Sequence, residues 1–386
     1  MPRAPQVSRF TASLSDQVYS GLAARAAAHP GPVYRLHVGD TYLEPPEVAR
    51  AEAQRSADHP RLHNYANVVG EPELIDAIVE REHMRFGRSI ERSRLQITLG
   101  ATGGLSTAAA ALLEPGDEVL LLAPYWPLIR GIVAARGAKA VDVPFYDRAG
   151  RADFDPEAAL RAALTERTVA LYMCSPSNPT GRVHDEDTQR ALCAFAERHD
   201  LWIWSDEAYE DLAYVDAPTP ARTTHPKLTL SSHTVSKSYG LAGARVGWLE
   251  VPESAAAAIR GSQTFLTYCA PRPMQFGAAQ ALRHGGEWQS QARKAYRESG
   301  AHAAEVLGLP SPQGGTFMFF DVSPWLKPGE DVLVFLERAL AQGVLLTPGG
   351  ASGSAYASWV RMCFTAVPPT ELSEAVKRLS SLMPRG

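Results

Sequence analysis

Between residues 100 and 250 short apolar runs alternate with longer amphipathic stretches, and this alternation restricts the possible folds more than any other feature. The runs are EVLLLAP (118–124), KAVDVPF (139–145), TVALYMC (168–174), LWIWSDE (201–207), LTLSSHTVS (228–236) and RVGWLEV (245–251). Several are nearly unbroken in apolar residues, the pattern of strands buried on both faces. Strands separated by helix-length stretches give repeated strand–helix units. The expected fold is therefore α/β, a mostly parallel mixed sheet flanked by helices.

Between the runs, GGLSTAAAALLEPGD (103–117) has helix-forming alanine and leucine with Pro-Gly past its end. DEDTQRALCAFAERHD (185–200) opens with carboxylates and closes with a basic turn, as the helix dipole favours. VDAPTPARTTHPK (215–227) is rich in proline and threonine and reads as a loop. After residue 275 the character changes. GGTFMFFDV and SWVRMCFTA read as strands, separated by the amphipathic DVLVFLERALAQG and followed by the helix TELSEAVKRLSSLM. The 386 residues are thus expected to form an N-terminal arm and part of the small domain over 1–45, a large domain over 46–275 and the rest of a smaller α+β domain over 276–386.

A formal net charge of -4 offers no footprint for nucleic acid. No apolar stretch reaches the roughly 20 residues that a membrane-spanning helix needs, and the first residues lack the apolar core of a secretory signal. Cys174, Cys193, Cys269 and Cys363 are scattered, with no metal-ligand or redox spacing. They read as reduced thiols of a cytoplasmic protein, and no metal site is expected.

In an open α/β sheet, ligands bind outside the carboxyl ends of the strands. GATGG (100–104), SPSNPTG (175–181), SDEAYE (205–210) and the TVSK of TVSKSYGLAGARVGW (234–248) all follow apolar runs at such ends. The chain has six lysines. Lys139, Lys227, Lys294, Lys327 and Lys377 fall in turns, loops or amphipathic helices, whereas Lys237 follows a buried strand at the ligand-binding end. A lysine kept from bulk water can hold its amine neutral, as attack on a carbonyl requires. The plainer alternative is an ion pair with a carboxylate. GATGG opens a helix and suits a single phosphate, with Arg245, Thr234 and Ser236 as further donors. Asp206 at the end of an apolar strand calls for a cation facing it, and a protonated ring nitrogen would serve. Asn178 lies in a tight turn, and Arg245 has an ion pair with Asp206 or Glu207 as its alternative.

These parts are those of a pyridoxal 5'-phosphate site, and the sequence closely resembles the class I/II aminotransferases, the aspartate-aminotransferase-like enzymes of fold type I. The likeness runs through LHVGD, NYANVVGEPEL, PGDEVLLLAPYW, SNPTGRV, SDEAYEDLAY, SKSYGLAGARVGW and VRMCF, in that order. It implies that Lys237 carries the internal aldimine and then moves the substrate α-proton, and that Asp206 keeps the pyridine nitrogen protonated. It assigns Asn178 and Tyr209 to the ring oxygen and Trp126 to the ring face. Ala101, Thr102, Thr234, Ser236 and Arg245 would hold the phosphate. Tyr65 would reach the phosphate of a neighbouring subunit, implying a homodimer with shared sites. Arg361 and Gly39, with Asn178, would hold the substrate carboxylate. Two departures stand out: Thr234 where many relatives have serine, and a phosphate loop without a larger polar residue.

The resemblance implies transfer of an amino group from an L-amino acid to a 2-oxo acid. A β-lyase on the same scaffold is the nearest alternative. A DNA-binding regulator is disfavoured by the charge and by motifs that begin near residue 36. Phe265 and Tyr268, with Tyr19 and Tyr42, suggest a neutral or aromatic substrate, and the nearby Arg272 keeps an acidic one open.

Overall fold

A computed structural model describes residues 5–12, 14, 22–55, 57–151 and 153–383. Twelve strands occur in it: β1 Tyr34–Arg35, β2 Leu95–Thr98, β3 Glu118–Ala123, β4 Lys139–Pro144, β5 Thr168–Cys174, β6 Trp202–Asp206, β7 Thr229–Thr234, β8 Gly247–Glu250, β9 Phe317–Asp321, β10 Val344–Leu345, β11 Thr347–Pro348 and β12 Trp359–Cys363. Seven form one sheet in the order β2-β8-β7-β6-β5-β3-β4. Strands β3 to β7 pair in parallel, and β8 runs antiparallel to both β7 and β2. The expected α/β architecture is therefore present.

Alternation of side chains across the sheet builds two apolar layers. Leu120, Leu122, Leu171 and Ile203 face the helices Pro156–Ala163 and Glu186–Arg198. Val119, Leu121, Ala170 and Trp204 face the opposite layer with the helices Gly100–Leu112 and Pro127–Ala134. The carboxylate expected to open the second helix does so: Asp185 accepts the Thr188 N–H at 2.7 Å.

Three details differ from the sequence expectation. The run 228–236 is not strand throughout. Thr234 Oγ1 accepts the Ser236 N–H at 3.2 Å, capping a one-turn helix over Val235–Ser238 and ending β7. Strand β2, only 4 residues long, lies outside the runs quoted above and ends just before GATGG. The segment 215–227 contains a helical turn, Ala221–Thr224, with Arg222 completely buried.

A second sheet, β11-β12-β9, is antiparallel. The N-terminal segment lies alongside it: β1 pairs in parallel with β10 in a separate two-stranded sheet, while Cys363 N donates to Leu36 O and Tyr42 N to Thr365 O, both at 2.8 Å. Among the described residues no helix is long and apolar enough to cross a membrane.

Candidate active site

Because β2 runs with the parallel set, the carboxyl ends of β2, β3, β5, β6 and β7 share one edge of the large sheet. An open cleft of about 790 Å³, solvent mouth included, lies there. Ala101 and Thr102 enter it after β2, Trp126 after β3 and Asn178 after β5. Asp206 and Tyr209 enter from the end of β6, and Thr234, Ser236 and Lys237 from the end of β7. Arg245 precedes the antiparallel β8 at the same edge, while Gly39 and the β12 residue Arg361 close the cleft from the smaller sheet's side.

Lys237 donates from Nζ to Gly39 O and makes no ion pair among the described residues, so the carboxylate alternative is not what is observed. Burial lowers its pKa, and the nearby Asp40 only partly opposes this. The other five lysines are exposed. Asp206 is buried and accepts from Tyr172 OH at 2.8 Å and from Ala208 N at 3.2 Å. Burial raises its pKa, and the Tyr172 bond works against the rise. A carboxylate in this position favours a cationic partner in the cleft.

Asn178 joins two groups. Its Nδ2 donates to Tyr209 OH at 3.3 Å and its Oδ1 accepts from Arg361 Nη1 at 3.1 Å. Arg361 Nη2 donates to His37 O at 3.1 Å, and the guanidinium lies 4.3 Å from the Phe317 ring centre. These contacts fix the plane of a fork suited to a carboxylate. Burial first, then Arg35 and Arg361, lower the His37 pKa to about 4, so this imidazole adds no charge near the fork at neutral pH.

At the other end of the cleft the helix Gly100–Leu112 begins without a side-chain cap, leaving its first-turn amides for an anion. Gly100 has φ +68°, and a Cβ there would meet Arg245 Nη2 at 2.9 Å, so glycine lets the guanidinium approach. Arg245 donates to Ala242 O at 2.9 Å and Leu99 O at 3.3 Å and pairs with neither Asp206 nor Glu207. Thr234 and Ser236 hydroxyls, 2.8 Å apart, complete a cluster of donors.

Tyr65 stands apart. It is 84% exposed and packs edge-on against Tyr268 in a neighbouring depression outside the cleft. Phe265 is 92% exposed, and Tyr42 packs on Tyr296. None of Tyr42, Phe265 and Tyr268 lines the cleft, and Tyr19 lies outside the described residues. Arg272 is engaged by Glu71 at 3.1 Å and Arg61 O at 2.6 Å, away from the cleft. The apolar lining comes instead from Val38, Leu128, Phe317 and Trp126. Nothing in the sequence marks the first three, since each reads as an ordinary core residue.

The profile of the family described as aminotransferase class I and II matches residues 32–379. The chain belongs to this family. An aspartate/prephenate aminotransferase of Thermus thermophilus is 30% identical to this aminotransferase over 358 residues, 91% of each chain. A valine–pyruvate aminotransferase of Mycobacterium tuberculosis is 30% identical over 379 residues, 95% of each. Among solved structures, a single mutant of the T. thermophilus aspartate aminotransferase superposes on this aminotransferase with a TM-score of 0.90. It shares 28% identity, with 98% of this chain and 100% of that one covered.

Proposed function

We propose that this aminotransferase binds pyridoxal 5'-phosphate in the cleft and transfers the amino group of a neutral L-amino acid to a 2-oxo acid. The observation that carries the reading is the joint placement of a desolvated amine, Lys237, and a buried carboxylate, Asp206, beside an uncapped helix start. The donor set fits the cofactor at each end. Ala101 and Thr102 amides, Thr234, Ser236 and Arg245 suit its phosphate, and Asp206 suits a protonated ring nitrogen. Asn178 and Tyr209 suit its ring oxygen, and Trp126 its ring face. When bound, the cofactor supplies an aldehyde carbon and a ring that accepts electrons.

The protein's own groups do the rest. Lys237, with its amine held toward the neutral form, is the residue that would hold the aldehyde carbon with loss of water, and once the substrate amine displaces it there the freed Nζ would take the α-proton and return it. Arg361 and Asn178 grip the α-carboxylate, with Gly39 beside them, and so fix which bond at the α-carbon is presented to the ring. Asp206 retains the proton on the ring nitrogen. Tyr65, exposed here, is assigned to the cofactor phosphate of a second copy, in a homodimer with shared sites. Residues 46–275 would form the cofactor-binding domain, 276–386 the small domain and 1–45 an arm and part of that small domain, in a cytoplasmic protein whose four cysteines stay reduced.

A neutral side chain is supported by Val38, Leu128 and Phe317 in the cleft and by the engagement of Arg272 elsewhere. The named relatives differ in the acids their names carry, aspartate and prephenate in one case and valine and pyruvate in another, so family alone does not choose. The test is direct. Borohydride reduction of the loaded protein followed by peptide mass mapping is expected to place a phosphopyridoxyl group on Lys237. Amino acids supplied singly are then scored by loss of the visible absorption band. A label on another residue, or on none, overturns the cofactor reading, and a response to aspartate alone overturns the neutral-substrate reading.

Arg361→Lys keeps the charge but loses the planar fork. KM for the amino acid is expected to rise roughly 10- to 100-fold. Cofactor affinity, measured by titration, should stay unchanged.

A further inference from the structure

Asp206 is the pivot of the reading above, yet a lone carboxylate at a strand end can rotate. Its setting prevents this. Cys174 pairs with Asp206 across β5 and β6, and Tyr172, two residues earlier on β5, shares the face of Cys174. Tyr172 is thus the diagonal neighbour of Asp206, and its phenol spans the diagonal to donate to Asp206 Oδ2 at 2.8 Å. The Ala208 N–H holds Oδ1. Each carboxylate oxygen therefore has one fixed donor, and its remaining lone pairs are left for the cleft.

We propose that Tyr172 is a positioning residue for the reaction: its buried hydroxyl locks the Asp206 carboxylate in the orientation that meets the cofactor ring nitrogen. The inference rests on the cofactor reading above. Burial first, then the Asp206 charge, push the Tyr172 hydroxyl well above its ordinary pKa, so it remains a donor at every working pH. The titratable groups around Asp206 are Tyr146, Tyr172, Cys174, Tyr209 and His233. Among these, only Tyr172 hydrogen-bonds to the carboxylate. Tyr146, equally buried, donates to Cys174 O at 2.7 Å instead.

That neighbour supplies the control. Tyr172→Phe and Tyr146→Phe each remove one buried hydroxyl from the same region and differ in whether Asp206 loses a partner. The measurements are the pyridoxal 5'-phosphate dissociation constant, the pH midpoint of the bound chromophore's absorption, and kcat with KM for the amino acid. For Tyr172→Phe the dissociation constant is expected to rise about tenfold, the midpoint to move, and kcat to fall with KM unchanged. Tyr146→Phe should keep the wild-type midpoint and dissociation constant, whatever it loses in melting temperature. If the wild-type protein binds the cofactor and the two variants share its midpoint and affinity, Tyr172 has no positioning role. If Tyr146→Phe moves both quantities as far as Tyr172→Phe does, the effect is general to the region and the inference also falls. A wild-type protein that takes up no cofactor overturns the cofactor reading itself.

Discussion

Replacing Lys237 with alanine is expected to lower turnover on the order of 10⁴-fold or more, while the protein stays folded and keeps most of its cofactor affinity. The two halves of this expectation have different causes. Lys237 is the proposed link to the aldehyde and the proposed carrier of the α-proton, so both functions vanish together. Structurally it contributes little. Its amine bonds to one backbone oxygen, Gly39 O, and to no carboxylate among the described residues. Its removal leaves no buried charge unpaired, and burial already disfavours its ammonium form. The proposed phosphate donors at the start of the helix Gly100–Leu112, with Thr234, Ser236 and Arg245, remain in place. Single-turnover kinetics, a melting curve and a cofactor titration on one preparation test all three statements. Turnover within tenfold of wild type would remove Lys237 from the chemistry.

What the sequence made readable follows from where chemistry is carried. Lys237, Asp206, Asn178 and Arg361 are polar residues at the ends of, or within, apolar runs, where burial needs a reason. Their types narrow the choice. Residues whose importance depends on a partner in space leave no such mark. Tyr172 sits inside TVALYMC and reads as one more apolar strand position, because its bond to Asp206 crosses to the next strand. Phe317, Val38 and Leu128 are apolar in any setting, and only the fold decides that they face the cleft. The aromatic and cationic side chains of Phe265, Tyr268 and Arg272 suggested a substrate contact, yet none of the three lines the cleft: the helix Glu253–Leu266 and the turn after it set Tyr268 beside the exposed Tyr65 and turn Arg272 to Glu71. Arg222 was hidden most deeply, since it lies in a segment whose prolines and threonines signal a loop.

Arg222→Met is expected to destabilise the protein by about 3–5 kcal/mol at neutral pH, the cost of leaving buried carboxylates without their partner. Arg222 is completely buried and donates to Glu82 Oε1 at 2.9 Å and Glu210 Oε2 at 2.8 Å, with Glu207 at 3.5 Å and Glu250 at 3.8 Å. Arg81, Arg85, Arg88 and Arg94 join the same network, as does Asp211. Five guanidiniums therefore meet five carboxylates, and removing one leaves an excess negative charge in a place water does not reach. Burial by itself raises the pKa of Glu82 and Glu210, and the arginines, Arg222 foremost, more than offset it and hold both below the ordinary range. Glu207 moves the other way, because burial outweighs its more distant contact with Arg222.

The sign of the pH dependence follows. A depressed carboxyl contributes stability that is present above its unfolded pKa, about 4.3 for glutamate, and lost as pH falls through its folded value. Without Arg222 this contribution largely disappears, and the stranded carboxylates can be relieved by protonation. The loss should be greatest near pH 7 and shrink below about pH 4.5, which denaturant titrations at the two pH values would show. Arg222→Met combined with Glu82→Leu restores the charge count and should recover part of the loss. Equal destabilisation at both pH values would mean that lost packing, not charge, sets the cost. The consequence reaches the cleft, because Glu207 and Glu210 continue the chain from Asp206 on either side of Tyr209. Anchored to Arg222 and Arg81, they hold that short segment in register, so the same variant should also weaken cofactor binding although Arg222 lines no part of the cleft.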